Sequence, residues 1–254
     1  MQRLFMFSLL LITFSAPTAS AFDNGFGVEF ESGVVRQSRN DVQSPTRADG
    51  ASPAGTRFSL SPLLGGDAEV YGRVRASYTW RDTHQVYVLY APLAFEGVGA
   101  FAGPVSFLGT VFAASVPTRA EYRFDSYRVG YRYHLLQHDI WDLWVGATLK
   151  IRDADIGLYQ GTVSANRAST GPAPLLNFVA RAQLAPRWSI LLDAEGLAAP
   201  QGRAIDAALK LRYAATDKVG VGVGYRILEG GADNKTIHGF ATVHYALVSL
   251  DVRF

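Results

Sequence analysis

The residues with chemistry to offer are few and oddly placed. Asp153 and Asp155 stand two apart in IRDADI, so on a strand their carboxyl groups share a face. Paired carboxylates at a rim do acid–base work or hold a cation. His238 lies near the same end of a later segment. A hydrolase needs more than this: a nucleophile, a histidine beside it and an acid to orient the ring. His84, His134 and His138 flank short polar turns, and His244 sits inside the last alternating segment. None has a serine on an adjoining inward face, and no Asp-x-His pair occurs at an outer rim. The carboxyl pair therefore reads as an exposed rim pair, and the histidines as interfacial or hydrogen-bonded rings. Gly220, Gly222, Gly224 and Gly230 belong to a strand and not to a phosphate loop. The chain has no cysteine, which excludes disulfides, thiolate zinc and lipidation at a cleavage point. No catalytic residue, metal or cofactor is assigned.

The denser signal is a set of charges at alternate positions. The bases are Arg73, Arg75, Arg128, Arg132, Lys150, Arg152, Arg181, Lys210, Arg212 and Arg226. The acids are Glu29, Glu31, Asp193, Glu195 and Asp206. Their neighbours of opposite parity are apolar: Tyr127, Val129, Tyr131 and Tyr133 against Arg128 and Arg132, or Val221, Val223, Tyr225 and Ile227 against Arg226. A period of two puts the charges on one strand face and the apolar residues on the other. If the apolar face met lipid, an Arg or Lys on that side would cost about 2–4 kcal/mol at mid-membrane. An interior so charged reads as a packed polar core of paired charges. The basic excess also admits a narrow, anion-favouring pore.

The elements that must carry these faces are strands. Ten are expected, over 25–35, 68–80, 84–95, 120–135, 141–156, 175–185, 188–197, 203–215, 219–228 and 236–254. Twelve result if the weaker runs 56–64 and 105–114 also span, and eight stays open because each signal is weak. Tight polar connections at 81–83, 137–139, 186–187 and 216–218 alternate with longer ones. Long outer loops are expected near 37–67, 97–119 and 161–174. The second contains FAGPVSFLGTVFAASVPT, too apolar for an exposed loop, and is expected to form a hairpin or an inward plug. Such regular alternation describes an all-β, transmembrane, antiparallel up-and-down barrel.

The two ends agree. MQRLFMFSLLLITFSAPTASA has a basic start, a short apolar run and an A-x-A site, so residues 1–21 read as a signal peptide and 22–254 as one barrel domain beginning at Phe22. The chain carries 24 Lys and Arg against 22 Asp and Glu, a balance that points to no nucleic acid. No later apolar run is long enough for a spanning helix. The C-terminus alternates to a bare aromatic: Val248, Leu250, Val252, Phe254. That ending resembles the outer-membrane signal read by the barrel assembly machinery. The segments YRFDSYRVGYRY, LWVGATLKIRDADI, GLAAPQGRAIDAALKLRY and GYRILEGGADN resemble a group of proteobacterial outer-membrane barrels. The likeness implies the fold and an outer-membrane location, and it implies no activity; the even count of ten strands puts both termini in the periplasm. The expected partners are outer-membrane lipid, lipopolysaccharide and the assembly machinery, for a monomer. The leading expectation is a non-enzymatic integral outer-membrane protein with a structural or interaction role. A small-solute channel comes second, and a hydrolase at the outer rim third.

Overall fold

The structure, a computed structural model, describes residues 24–48 and 53–254. The expected signal peptide and the start at Phe22 lie outside them. The elements in chain order are β1 Gly25–Gln43, β2 Phe58–Ser59, β3 Glu69–Trp80, β4 His84–Ala91, β5 Ala94–Gly99, β6 Val105–Phe107 and β7 Thr110–Phe112. They continue as β8 Thr118–Gln137, β9 Trp141–Gln160, β10 Val163–Ala185, β11 Trp188–Ala199, β12 Gly202–Ala214, β13 Val219–Asp233 and β14 His238–Arg253. Wall neighbours are antiparallel, and β14 pairs back onto β1, which closes the sheet. Closure gives each strand two partners, as backbone in hydrocarbon requires.

β4 and β5 are two halves of one wall strand, since both pair with β8. The wall is therefore a ten-stranded barrel. The sequence suggested one unbroken strand over 84–95, but Pro92 has no N–H to give the ladder. At the break the Leu93 carbonyl accepts from Phe124 N–H at 2.7 Å, and Leu93 N–H donates to the Asp125 carboxylate at 3.3 Å. The two weaker runs do not span. In the first only Phe58–Ser59 is strand, laid on the end of β1, and the second folds into the separate hairpin β6–β7.

The expected long loop at 161–174 is not a loop. β9 runs to Gln160 and β10 starts at Val163, paired residue by residue down to Trp141 and Ala182. Gly161, which has a positive φ of 60°, forms the turn with Thr162. The outward face of this extension is wet and small or polar residues interrupt its inward face, so it lacks the apolar alternation that marks the other strands.

The outer face carries an exposed apolar belt that includes Phe30, Val88, Val129, Leu149, Leu209, Val223 and Val248. At the end bearing the tight turns, Tyr78 stacks on Trp80 and Trp80 on His84, with Trp188 against Tyr213. Such rings suit a membrane–water boundary. The opposite end is capped. Phe107 and Phe112 of the β6–β7 hairpin are fully buried with Leu60, Leu63 and Leu158. Leu108 N–H donates to the Ser44 carbonyl at 2.9 Å, and the Gln160 side chain accepts from Ala113 N–H at 2.7 Å. The apolar 97–119 segment is thus a hairpin folded inward over the barrel end.

Candidate functional site

Inward-facing charges from six of the wall strands meet across the lumen. Glu31 of β1 accepts from Nε and Nη2 of Arg226 in β13, each at 2.9 Å, and its Oε2 lies 2.8 Å from Lys210 of β12. Lys210 also reaches Glu29 at 2.7 Å. Asp206 of β12 is shared: Arg73 of β3 lies 3.3 Å away, Arg128 of β8 2.6 Å, and Arg226 bonds its other oxygen. Arg128 holds Glu195 of β11 at 2.5 Å. Asp193 sits 2.7 Å from both Arg75 and Arg132. These side chains are buried, apart from a half-buried Glu29. Links such as β3 to β12 and β8 to β11 join strands that do not neighbour each other in the wall, so the network fills the bore and does not merely line it.

Aromatic and amide groups complete the packing. Tyr87 of β4 donates to Glu195 at 2.5 Å and lies 2.6 Å from the Thr148 hydroxyl. The guanidinium groups of Arg132 and Arg75 sit over its ring, 4.6 and 5.1 Å from the centroid. Gly130 makes this possible, because a Cβ there would lie 2.2 Å from Tyr87 Cζ. Nearer the tight turns Arg212 pairs with Asp251 at 2.8 Å and Arg181 with Asp142 at 2.5 Å. Asp142 and Asp251 were missed in the sequence, although both share the parity of an inward neighbour: Trp144 for the first, Ser249 for the second.

Lys150 and Arg152, the remaining bases of the expected set, stand elsewhere. They line a chamber of about 290 Å³ between the network and the cap, beside Phe124, Leu175, Leu228 and Val243. A second space of about 200 Å³ adjoins it and shares Arg152, Tyr122 and Phe124; it is also lined by Arg167. Arg167 was hidden from sequence reading by the loop assignment of 161–174.

The rim candidates do not assemble. Asp153 is 3.1 Å from Arg123 and 2.9 Å from Thr170 on the outer face of β9–β10. His238 Nδ1 faces Asp233 at 3.4 Å across the β13–β14 turn. His244 is hydrogen-bonded through both ring nitrogens, to Tyr225 at 2.5 Å and Ser38 at 2.7 Å. Among the described residues no group of three His, Asp or Glu is arranged to hold a metal. Leu250 and Val252 pair with Phe30 and Val28 of β1 at the closing seam, and Phe254 N–H donates to the Phe26 carbonyl at 2.9 Å.

The architecture is that of bacterial outer-membrane β-barrels. The outer-membrane protease OmpT of Escherichia coli superposes with a TM-score of 0.51 at 10% identity, covering 96% of this chain and 99% of that one. Neisserial surface protein A matches at 14% identity, TM-score 0.40, over 91% and 98% of the two chains. The attachment invasion locus protein Ail of Yersinia pestis matches at 9% identity, TM-score 0.40, over 91% and 99%. At 10% identity the likeness speaks for the fold alone. No protein-family model matches the sequence, and no curated protein matches it.

Proposed function

We propose that this chain is a closed, non-conducting integral outer-membrane barrel with a structural or interaction role and no catalytic activity. One observation carries the reading: the bore is crossed by ion pairs between strands on different sides of the wall, with Arg132, Arg226, Lys210 and Glu31 all 2% exposed or less. A path for ions needs water where these side chains stand. The short-turn end lies in the periplasm with both termini, and the capped end faces outward, since barrels of this kind carry their longer connections outside. The protein is a monomer set in lipid and lipopolysaccharide, inserted by the assembly machinery through the ending Leu250, Val252, Phe254.

Single-channel recording of the refolded chain in a planar bilayer tests this. The expected result is a silent bilayer from samples that show heat-dependent gel mobility. Discrete steps with anion preference would make the narrow channel the better description.

A further inference from the structure

The wall is uneven at the capped end. Pairing of β10 with β11 ends at Leu176–Gly196, while pairing of β10 with β9 continues to Val163–Gln160. The β11–β12 hairpin closes at Ala199–Gly202, β12–β13 pairing ends at the same residue, at Gly202–Ala232, and β13–β14 reaches Asp233–His238. Above Leu176, β10 is therefore an edge. Pro172 and Pro174 sit on it, where a missing N–H does no harm. The 290 Å³ chamber lies at this notch. It is lined by five consecutive β10 residues, 171–175, which alternate between the two faces of the strand. The chamber abuts this unpaired edge of β10.

Its chemistry is mixed. Pro172, Pro174, Leu175, Leu197, Leu228 and Val243 make it apolar. Lys150 makes it cationic. That side chain is 3% exposed, and no ion pair or hydrogen bond joins it to any described residue; its ammonium lies 4.7 Å from the centre of the Phe124 ring. The nearest acids of the network are occupied: Asp206 by Arg73, Arg128 and Arg226, and Glu195 by Arg128 and Tyr87. Arg152 bonds only Ser169, at 3.1 Å, and its Nε has no partner. Arg167 bonds two hydroxyl groups, of Ser44 and Thr236, and no acid. The one carboxylate in the lining, Glu229, is held at both oxygens by Arg203. Buried cations without acids are costly unless an anion joins them.

We propose that the chamber binds a single-chain anionic amphiphile of the fatty-acid class. Its carboxylate lies between Lys150 and Arg152, and its chain runs along the apolar lining to the notch. The site goes beyond the closed-barrel reading, because it sits above the network and asks nothing of the bore. The two adjoining spaces, about 290 and 200 Å³, reach the size at which small-molecule sites begin, about 300 Å³.

The test is binding of ¹³C-carboxyl dodecanoate to the full refolded chain in nanodiscs, with empty nanodiscs subtracted. The parent protein should bind it saturably at one site, with a shifted carboxyl resonance. Lys150→Met should weaken binding by about tenfold or more, the usual effect of losing one charge-assisted contact. Lys218→Met, at an exposed distant turn, should leave it unchanged. If Lys150→Met does not fold, Ala241→Trp serves, because Ala241 lines both spaces and a large ring there should abolish binding with every charge kept. Absence of saturable binding overturns the proposal. So does equal affinity in parent and variant, and so does equal affinity for dodecanoate and acetate, which would mark a plain anion site.

Discussion

Two regions of one bore are built from the same alternating strands and treat charge in opposite ways. In the middle of the barrel every expected base has an acid: Arg73, Arg75, Arg128, Arg132, Lys210 and Arg226 are tied to Glu29, Glu31, Asp193, Glu195 and Asp206. Beside it, Lys150, which pairs across the ladder with Arg128, and Arg152 have none, and apolar side chains replace the acids. β9 contributes to both, with Thr148 bonded into the network and Lys150 two residues on in the chamber. The difference comes from what stands across the bore. Where β11 and β12 are complete they send Asp193, Glu195 and Asp206 inward. Toward the end of their hairpin Leu197, Ala199 and Ala204 stand in place of acids, and Glu229 of β13 is held by Arg203. A charge-filled bore and a cationic, apolar chamber are thus two outcomes of one sheet, decided by which side chains its strands turn inward.

The comparison breaks most severely at Asp206. Its carboxylate serves three guanidinium groups, and replacing it leaves them buried and under-compensated. Loss of one partner from a buried ion pair costs about 3–5 kcal/mol. Asp206→Ala should therefore lower the free energy of urea unfolding by an amount of that order, read as an earlier midpoint by Trp fluorescence and by gel mobility. Adding Arg226→Met to it should recover part of the loss, because one stranded cation is removed. A single variant as stable as the parent would mean that water, and not Asp206, solvates those groups.

A smaller effect is expected at Gly130, where close packing and not charge is at stake. Tyr87 is pinned there by Glu195, Thr148 and the guanidinium groups above its ring. It cannot swing aside to admit a Cβ 2.2 Å from its Cζ. Overpacking of this kind costs about 1–3 kcal/mol. Gly130→Ala should destabilise the parent by that amount and cost far less in a Tyr87→Ala background. Equal costs in both backgrounds would show that the ring is free to move and that the middle of the bore is less tightly filled than the ion pairs suggest.

The sequence made the middle of the barrel legible and the capped end poorly so, for one physical reason. Where one strand face meets lipid and the other a packed interior, period-two alternation is strong; it marks Arg128, Arg132, Lys210, Arg212 and Arg226 without any structure. The four tight turns and the count of ten strands follow from the same pattern. Above the apolar belt both faces are wet or half-buried, so Ser164, Asn166, Arg167 and Thr170 carry no alternation although they are in strand. Gly171, Pro172 and Pro174 then mimic a loop, yet they mark an edge. Partner choice across the bore was not legible at all. Parity says that Lys150 and Lys210 both point inward, but only the side chains that distant strands place across the bore decide that one meets Glu31 and the other meets none.

The smallest effect sharpens the contrast within one strand. Arg203 stands three residues before Asp206 in β12 and grips Glu229 through Nε and Nη2, at 2.7 to 3.0 Å. Its geometry is as good as that of any pair in the bore. Its setting is not, for the Arg203 side chain is 47% exposed, against 4% for Asp206. Water solvates the charges before and after the pair is broken, so little is gained by forming it. Arg203→Ala should leave the urea midpoint within error of the parent, at low salt and at high. A loss approaching that of Asp206→Ala would mean that the rim and the bore share one dielectric environment, and that burial is not what separates the filled lumen from the open end.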